Sequence, residues 1–177
     1  MSEARTLPLV GLVTKGRFGA LTETPGVALT VMHPATLVAV IARRGKAKVV
    51  AAALKALPGA SVLWAGPDQH FVEGVDCSSL KKMLGANASI VDQSHGRVVI
   101  RLVGSKARAV LAKGTPVDLH PDHFPLGKSA MTQMAHIGVH ITRSGTDAFT
   151  LSVFRGFSES FWQWLVHSAR EYGYEVV

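Results

Sequence analysis

Four residues of one proline-rich stretch, Asp118, His120, Asp122 and His123, set hard oxygen and imidazole groups side by side and could ligate a divalent metal. No second ligand cluster is defined elsewhere, and Pro121 with Pro125 accounts for the stretch as rigid scaffolding. Asp92, Ser94 and His95 are the residue types of a nucleophilic triad. Adjacent residues of an extended strand point to opposite faces, however, and neither Ser94 nor His95 lies in a G-x-S-x-G elbow. Cys77 precedes a short helical pattern whose N-terminus can lower a thiol pKa, but a small packing residue or a Ser-like cap is the plainer reading. His33, His70, His136, His140 and His167 sit singly in apolar patterns and read as core or interface histidines. Glycine-rich nucleotide motifs are absent: Gly11, Gly16 and Gly19 fall outside any strand-to-helix junction. The sequence therefore assigns no catalytic, cofactor-binding or metal residue.

Bulk composition narrows the classes further. The chain has 177 residues, 47% hydrophobic and 18% charged, with a mean hydropathy of +0.24. It is long enough to bury a substantial core, and its apolar surplus could serve another protein. No window approaches 18 consecutive apolar residues, so no membrane partner is expected. Glu3, Arg5, Pro8, Lys15 and Arg17 interrupt the start, unlike a secretory signal. A single cysteine rules out an internal disulfide framework, and a cytoplasmic location is the expectation. Basic residues concentrate early: residues 1–58 hold 8 basic and 2 acidic side chains, residues 59–113 hold 7 and 4, and residues 114–177 hold 4 and 6. The densest cluster, Arg43, Arg44, Lys46 and Lys48, lacks interleaved aromatic rings for base stacking, so no nucleic acid partner is expected. A solvated helix entrance or a salt-bridged protein contact explains it as well.

The elements that would carry these groups repeat. KAKVVAA at 46–52 and KARAVLA at 106–112 each open a helical pattern after an apolar run, with a hairpin pattern following. Residues 1–25 show no sustained period and read as an extended N-terminal arm. Residues 27–33 and 37–42 are short β-rich runs parted by Pro34. Val49, Val50, Ala53, Leu54 and Leu57 take helical spacing, and Pro58-Gly59 stops the helix. Residues 61–65 and 69–73 flank the turn Gly66-Pro67-Asp68, and 78–84 is a short helix ended by Gly85. In the second copy, 89–92 and 98–103 are strands, and a helix runs to Lys113 with Ser105 as N-cap and Gly114 as the left-handed residue beyond its end. Residues 137–143 and 148–154 form a hairpin, and about 159–172 forms the closing helix. Residues 115–135, present in the second half only, read as an irregular, fixed loop. The resulting expectation is an α+β domain of duplicated ferredoxin-like βαββα halves, 26–86 and 87–177, behind the arm.

Several ordered stretches then carry a family resemblance: VDQSHGRVVIRL, the helix GSKARAVLAKG, the segment DLHPDHFPLGK, the ending FWQWLVHSAREYG, the hairpin VLWAGPDQHFVE and the start PLVGLVTKGRFGALTETPGV. Together they cover nearly the whole chain, which resembles the gamma subunit of heterotetrameric sarcosine oxidase. The resemblance implies the folate-binding-domain fold of the aminomethyltransferase, or glycine-cleavage T-protein, superfamily. It implies a complex with alpha, beta and delta subunits that oxidatively demethylates sarcosine to glycine, produces hydrogen peroxide and passes the one-carbon unit to tetrahydrofolate. FAD, FMN and NAD would be held chiefly by the larger subunits. The K-G-C-Y-x-G-Q-E signature of related folate-dependent repair proteins is absent, since Cys77 stands in GVDCSSL. No catalytic or folate residue carries over, and this chain alone is expected to bind no cofactor. Leu9, Phe18 and Trp64 are the expected partner contacts. Two rivals are the equivalent subunit of an N-methylglutamate dehydrogenase complex and a freestanding folate-binding protein.

Overall fold

In the computed structural model, residues 9, 11–20, 23–32 and 36–177 are described. Pro8, His33 and Pro34 lie outside them, as does most of the start of the arm. Among the described residues, eleven strands build two sheets. The smaller one is a complete βαββαβ unit: β3 (Leu37–Ala42), α1 (Ala47–Lys55), β4 (Ser61–Gly66), β5 (Gln69–Glu73), α2 (Cys77–Leu84) and β6 (Ala88–Asp92). Its strand order is β4-β5-β3-β6, the ferredoxin-like arrangement. Alternation along β3 sends Val38, Val40 and Ala42 toward Val50 and Leu54 of α1 and Leu80 and Leu84 of α2, forming one buried cluster.

The larger sheet contains the second copy of the same unit, β7 (Arg97–Val103), α3 (Ala107–Ala112), β9 (Ile137–Gly145), β10 (Ala148–Phe154), α4 (Ser158–Ala169) and β11 (Tyr174–Val176). Three further strands extend it, namely β1 (Gly16–Phe18), β2 (Val27–Met32) and β8 (Ser129–Met134). The order is β1-β11-β2-β7-β10-β9-β8, so β2 is wedged between the two strands that would otherwise be neighbours. It pairs parallel with β11 and antiparallel with β7. Val98, Ile100, Leu102, Leu151, Val153, Val139 and Ile141 form one face of this sheet and pack with Phe161, Trp162 and Leu165 of α4. Each such side chain, fully buried, contributes about 1.5–3 kcal/mol.

The repeat read from sequence occupies equivalent places, for α1 and α3 both follow the first strand of their unit. Their N-caps, Lys46 and Lys106, have nearly the same backbone angles (φ −107°, ψ 0° and φ −99°, ψ 4°). The division of the chain at 86/87 is corrected by the sheets. β6 lies beyond that boundary yet closes the small sheet against β3, while β2 lies before it and belongs to the large sheet. The arm is likewise not wholly separate, because β1 pairs with β11 and Arg17 reaches Glu175 at 3.6 Å.

Residues 115–135 are also only partly irregular. Their last third is β8, which pairs with β9 through a two-residue turn, Ala135-His136, both at positive φ (50° and 67°). Neither residue is a usual turn former, which hides the hairpin in the sequence. The remainder is fixed by buried Arg143, whose guanidinium donates to the carbonyls of Phe124 (3.1 Å) and Thr146 (2.9 Å). Ser105 is not the cap of α3; that place is taken by Lys106, with no side-chain hydrogen bond. Gly114 is not left-handed, and its need is steric: a Cβ there would lie 2.2 Å from the Trp164 ring of α4.

Gly104 is needed on both counts. Its φ is +145°, and a Cβ would stand 2.3 Å from the carbonyl oxygen of Gly26. Gly104→Ala is expected to lower unfolding stability by roughly 2–4 kcal/mol in urea titration. A change within about 0.5 kcal/mol would show that the β2–β7 contact relaxes freely.

Candidate functional site

The groups singled out in the sequence fall in separate places. In the proline-rich stretch, Asp118 accepts a hydrogen bond from the ring of His123 and another from the His120 N–H at 2.9 Å. The His123 bond, first, and the backbone bond hold the Asp118 carboxyl below its ordinary pKa. His120 turns to Asp122 at 3.5 Å. The four residues thus satisfy one another, and among the described residues no group of three or more His, Cys, Asp or Glu is arranged to hold a metal ion.

Ser94 is buried and accepts the Leu37 N–H at 2.9 Å, whereas His95 is exposed. The hydroxyl therefore secures the turn between β6 and β7 against the start of β3. Cys77 is the first residue of α2 and packs on the small core; the cap is Asp76, which accepts from Ser79 N at 2.9 Å. His136 and His167 are exposed, which sets aside the core alternative of the core-or-interface reading, because one occupies the β8–β9 turn and the other the outer side of α4.

A different constellation lies where the sheets face each other, on the side of the large sheet away from α3 and α4. Strand alternation and register bring Arg97 opposite Phe154, and Ser152 between Val99 and His140. The small sheet supplies Phe71 and Trp64. Arg97 is only 6% exposed, with its guanidinium 4.7 Å from the Phe71 ring centre and 4.1 Å from that of Phe154. Each such cation–ring contact is worth about 0.5–2 kcal/mol. One terminal nitrogen donates to the Ser152 carbonyl at 3.4 Å. Among the described residues, Arg97 Nε and Ser152 Oγ have no hydrogen-bond partner. Burial brings the Arg97 pKa down to about 10, so the group remains a cation at neutral pH, and among the described residues no carboxylate forms an ion pair with it.

His140 completes the junction. It is 2% exposed, stands edge-on to Phe71 at 5.1 Å, and its Nε2 lies 2.9 Å from the Trp64 carbonyl oxygen. A carbonyl only accepts, so Nε2 carries the proton and donates across the two sheets. Burial pushes the His140 pKa below 6.5, with the Trp64 carbonyl opposing and the Arg97 charge adding to the fall. In the sequence His140 reads as a lone core or interface histidine, and nothing there signals Arg97. Arg97 and Arg101 share one parity of β7, but only Arg97 is covered by the small sheet, and that cover is set by residues some 25 positions away or more.

This arrangement is a clamp between sheets. Phe71, Arg97, Phe154 and His140 meet across the junction, with the unpartnered Ser152 hydroxyl beside them. Of the expected partner contacts, Leu9 is buried at 7% exposure in the large core, so its side chain is committed to this chain. Phe18 is partly exposed, stacks on Tyr174 at 5.3 Å and borders a surface cleft of about 510 Å³. Trp64 is 46% exposed on the edge strand β4.

The clamp carries a pH dependence. Because the folded-state pKa of His140 lies below 6.5, the unfolded chain takes up a proton that the folded protein refuses, and stability falls as pH drops below that value. His70, also lowered by burial, acts in the same direction. The urea midpoint is expected to be lower at about pH 5.5 than at about pH 7.5, with a smaller difference in His140→Gln. An equal difference in the variant would assign the effect elsewhere.

Comparison with known proteins adds the family. Residues 30–171 match the family described as sarcosine oxidase, gamma subunit. The sarcosine oxidase subunit gamma of Corynebacterium sp. (strain U-96) is 31% identical over 119 residues, 64% of this chain and 58% of that protein. The subunit gamma from Arthrobacter sp is 32% identical over 127 residues, 69% of this chain and 63% of that one. The matched region thus spans under two thirds of these relatives' length. In structure, the chain matches one in the heterotetrameric sarcosine oxidase from Corynebacterium sp. U-96 in complex with pyrrole 2-carboxylate, with a TM-score of 0.80, 25% identity and coverage of 95% and 96%. The glycine cleavage system aminomethyltransferase T from Bartonella henselae matches with a TM-score of 0.60 at 19% identity, covering 86% of this chain and 48% of that one, and shares the fold. On the family match and the two-sheet architecture together, the chain belongs to the sarcosine oxidase gamma subunit family.

Proposed function

We propose that this chain is a non-catalytic gamma subunit of a heterotetrameric sarcosine oxidase, supporting assembly with alpha, beta and delta subunits. The full complex would oxidatively demethylate sarcosine to glycine, producing hydrogen peroxide and a one-carbon unit for tetrahydrofolate. FAD, FMN and NAD would reside in the larger subunits, and cytoplasmic location fits this assignment. The observation that supports the non-catalytic reading is the junction between the sheets, built from a clamped cation and aromatic rings. Arg97 lies there between Phe71 and Phe154, an arrangement that ties one sheet to the other. Phe18 and Trp64, large rings left partly bare, support a role in contacts with other chains.

Host cells lacking this chain are expected to yield little stable, active oxidase, with the other subunits present but poorly copurifying. Recovery of stable oxidase at ordinary activity from such cells would contradict the assembly role. Reconstituted complex tested on sarcosine and on N-methylglutamate separates the oxidase from its sister dehydrogenase.

A further inference from the structure

One end of the small sheet gathers basic side chains that form no ion pair with a described acid, although Asp68 of the β4–β5 turn lies at the same end, its carbonyl accepting from the Ala42 N–H at 2.8 Å. β3 finishes at Ala42, paired with Ala88 at the start of β6, and the Arg43 N–H donates to the Asn87 carbonyl at 2.9 Å. Asn87 lies one short turn after α2, so Lys81 and Lys82 of its last turn come to the same end as Arg43, Arg44, Lys46 and Lys48, which lead into α1. All six are exposed. None forms an ion pair with a described acid, and the first turn of α1 holds no acidic residue. Lys46 and Lys48 therefore add to the positive end of the α1 dipole, an arrangement disfavoured in isolation. The helices over the large sheet differ, since Lys113 pairs with Glu171 and Arg108 with Asp147.

Apolar surface accompanies these charges. Val49 on α1 is 54% exposed and Met83 on α2 is 40% exposed. A phosphate backbone would be served by the cations alone, with rings for base stacking, but residues 41–49 and 81–87 contain no Phe, Tyr or Trp. Cations around exposed aliphatic side chains match a protein surface in which acidic groups surround an apolar contact. We propose that this end of the small sheet is the docking surface for an acidic segment of a partner polypeptide in the complex. The inference rests on the subunit reading above.

The test uses tagged chain co-expressed with the other oxidase subunits, measuring subunits captured per tagged chain at low and high salt. Arg43→Glu with Arg44→Glu is compared with Lys55→Glu with Arg170→Glu, which changes the net charge equally at other places, and with the milder Arg43→Gln with Arg44→Gln. Circular dichroism and thermal unfolding establish that each variant folds. The expected result is a loss of capture of about tenfold or more for the first pair, an intermediate loss for the glutamine pair, and a wild-type capture that weakens with salt. Equal capture by a folded first pair, or equal loss in the control pair, overturns the docking surface and leaves the subunit reading intact. Capture abolished by nuclease overturns it in favour of nucleic acid. If wild-type chain captures no oxidase subunit at all, the subunit reading fails and this proposal fails with it.

Discussion

The two sheets are held in one arrangement by a small polar and aromatic junction, and the rest of the molecule depends on that contact. Each sheet already has a helical layer on one side: α1 and α2 cover the small sheet, α3 and α4 the large one. The opposite faces must meet each other. They do so through Leu37, Ala65 and Phe71, a minor apolar cluster, and through Arg97 and His140, which span from one sheet to the other. A purely apolar seam would tolerate sliding. The Nε2–H of His140 on the Trp64 carbonyl, together with a guanidinium held between two rings, fixes register as well as distance. The stabilisation comes at the cost of a buried cation with an unsatisfied Nε.

Strand exchange reinforces the junction. Because β2 precedes the small unit in sequence yet sits inside the large sheet, the small unit is inserted between two segments of the larger one. β8, added at the far edge, lies against β4 and brings the sheets together at a second place. Neither sheet is then an independent module despite each containing a ferredoxin-like unit. Both would be constrained to order together, which suits the proposed role of presenting a fixed outer surface to other chains.

Much of this was legible in residues and some was not, for identifiable reasons. The helices α1, α2 and α4 and the hairpin around Pro67-Asp68 follow from period, stops and turn chemistry, all local. The duplication was visible because both units begin their first helix with the same Lys-Ala pattern. Sheet membership was not visible, since β2 and β6 are ordinary apolar strands whose partners are chosen by topology rather than composition. β8 was concealed by a turn of Ala135 and His136, and Gly114 was misassigned because a close approach by Trp164 and a left-handed turn both demand glycine. The candidate catalytic and metal clusters dissolved on folding into turns and local pairs, while the clamp assembled from Arg97, His140, Phe71 and Phe154 across long separations.

An assembly component should be found with its complex, and the most direct measurement is a pull-down of the tagged chain from its native host with flavin absorbance and peroxide production recorded on the eluate. The account predicts a yellow complex that produces peroxide when sarcosine is added. Recovery of the chain alone, colourless and inactive yet able to bind tetrahydrofolate, would contradict it and favour a freestanding folate-binding protein.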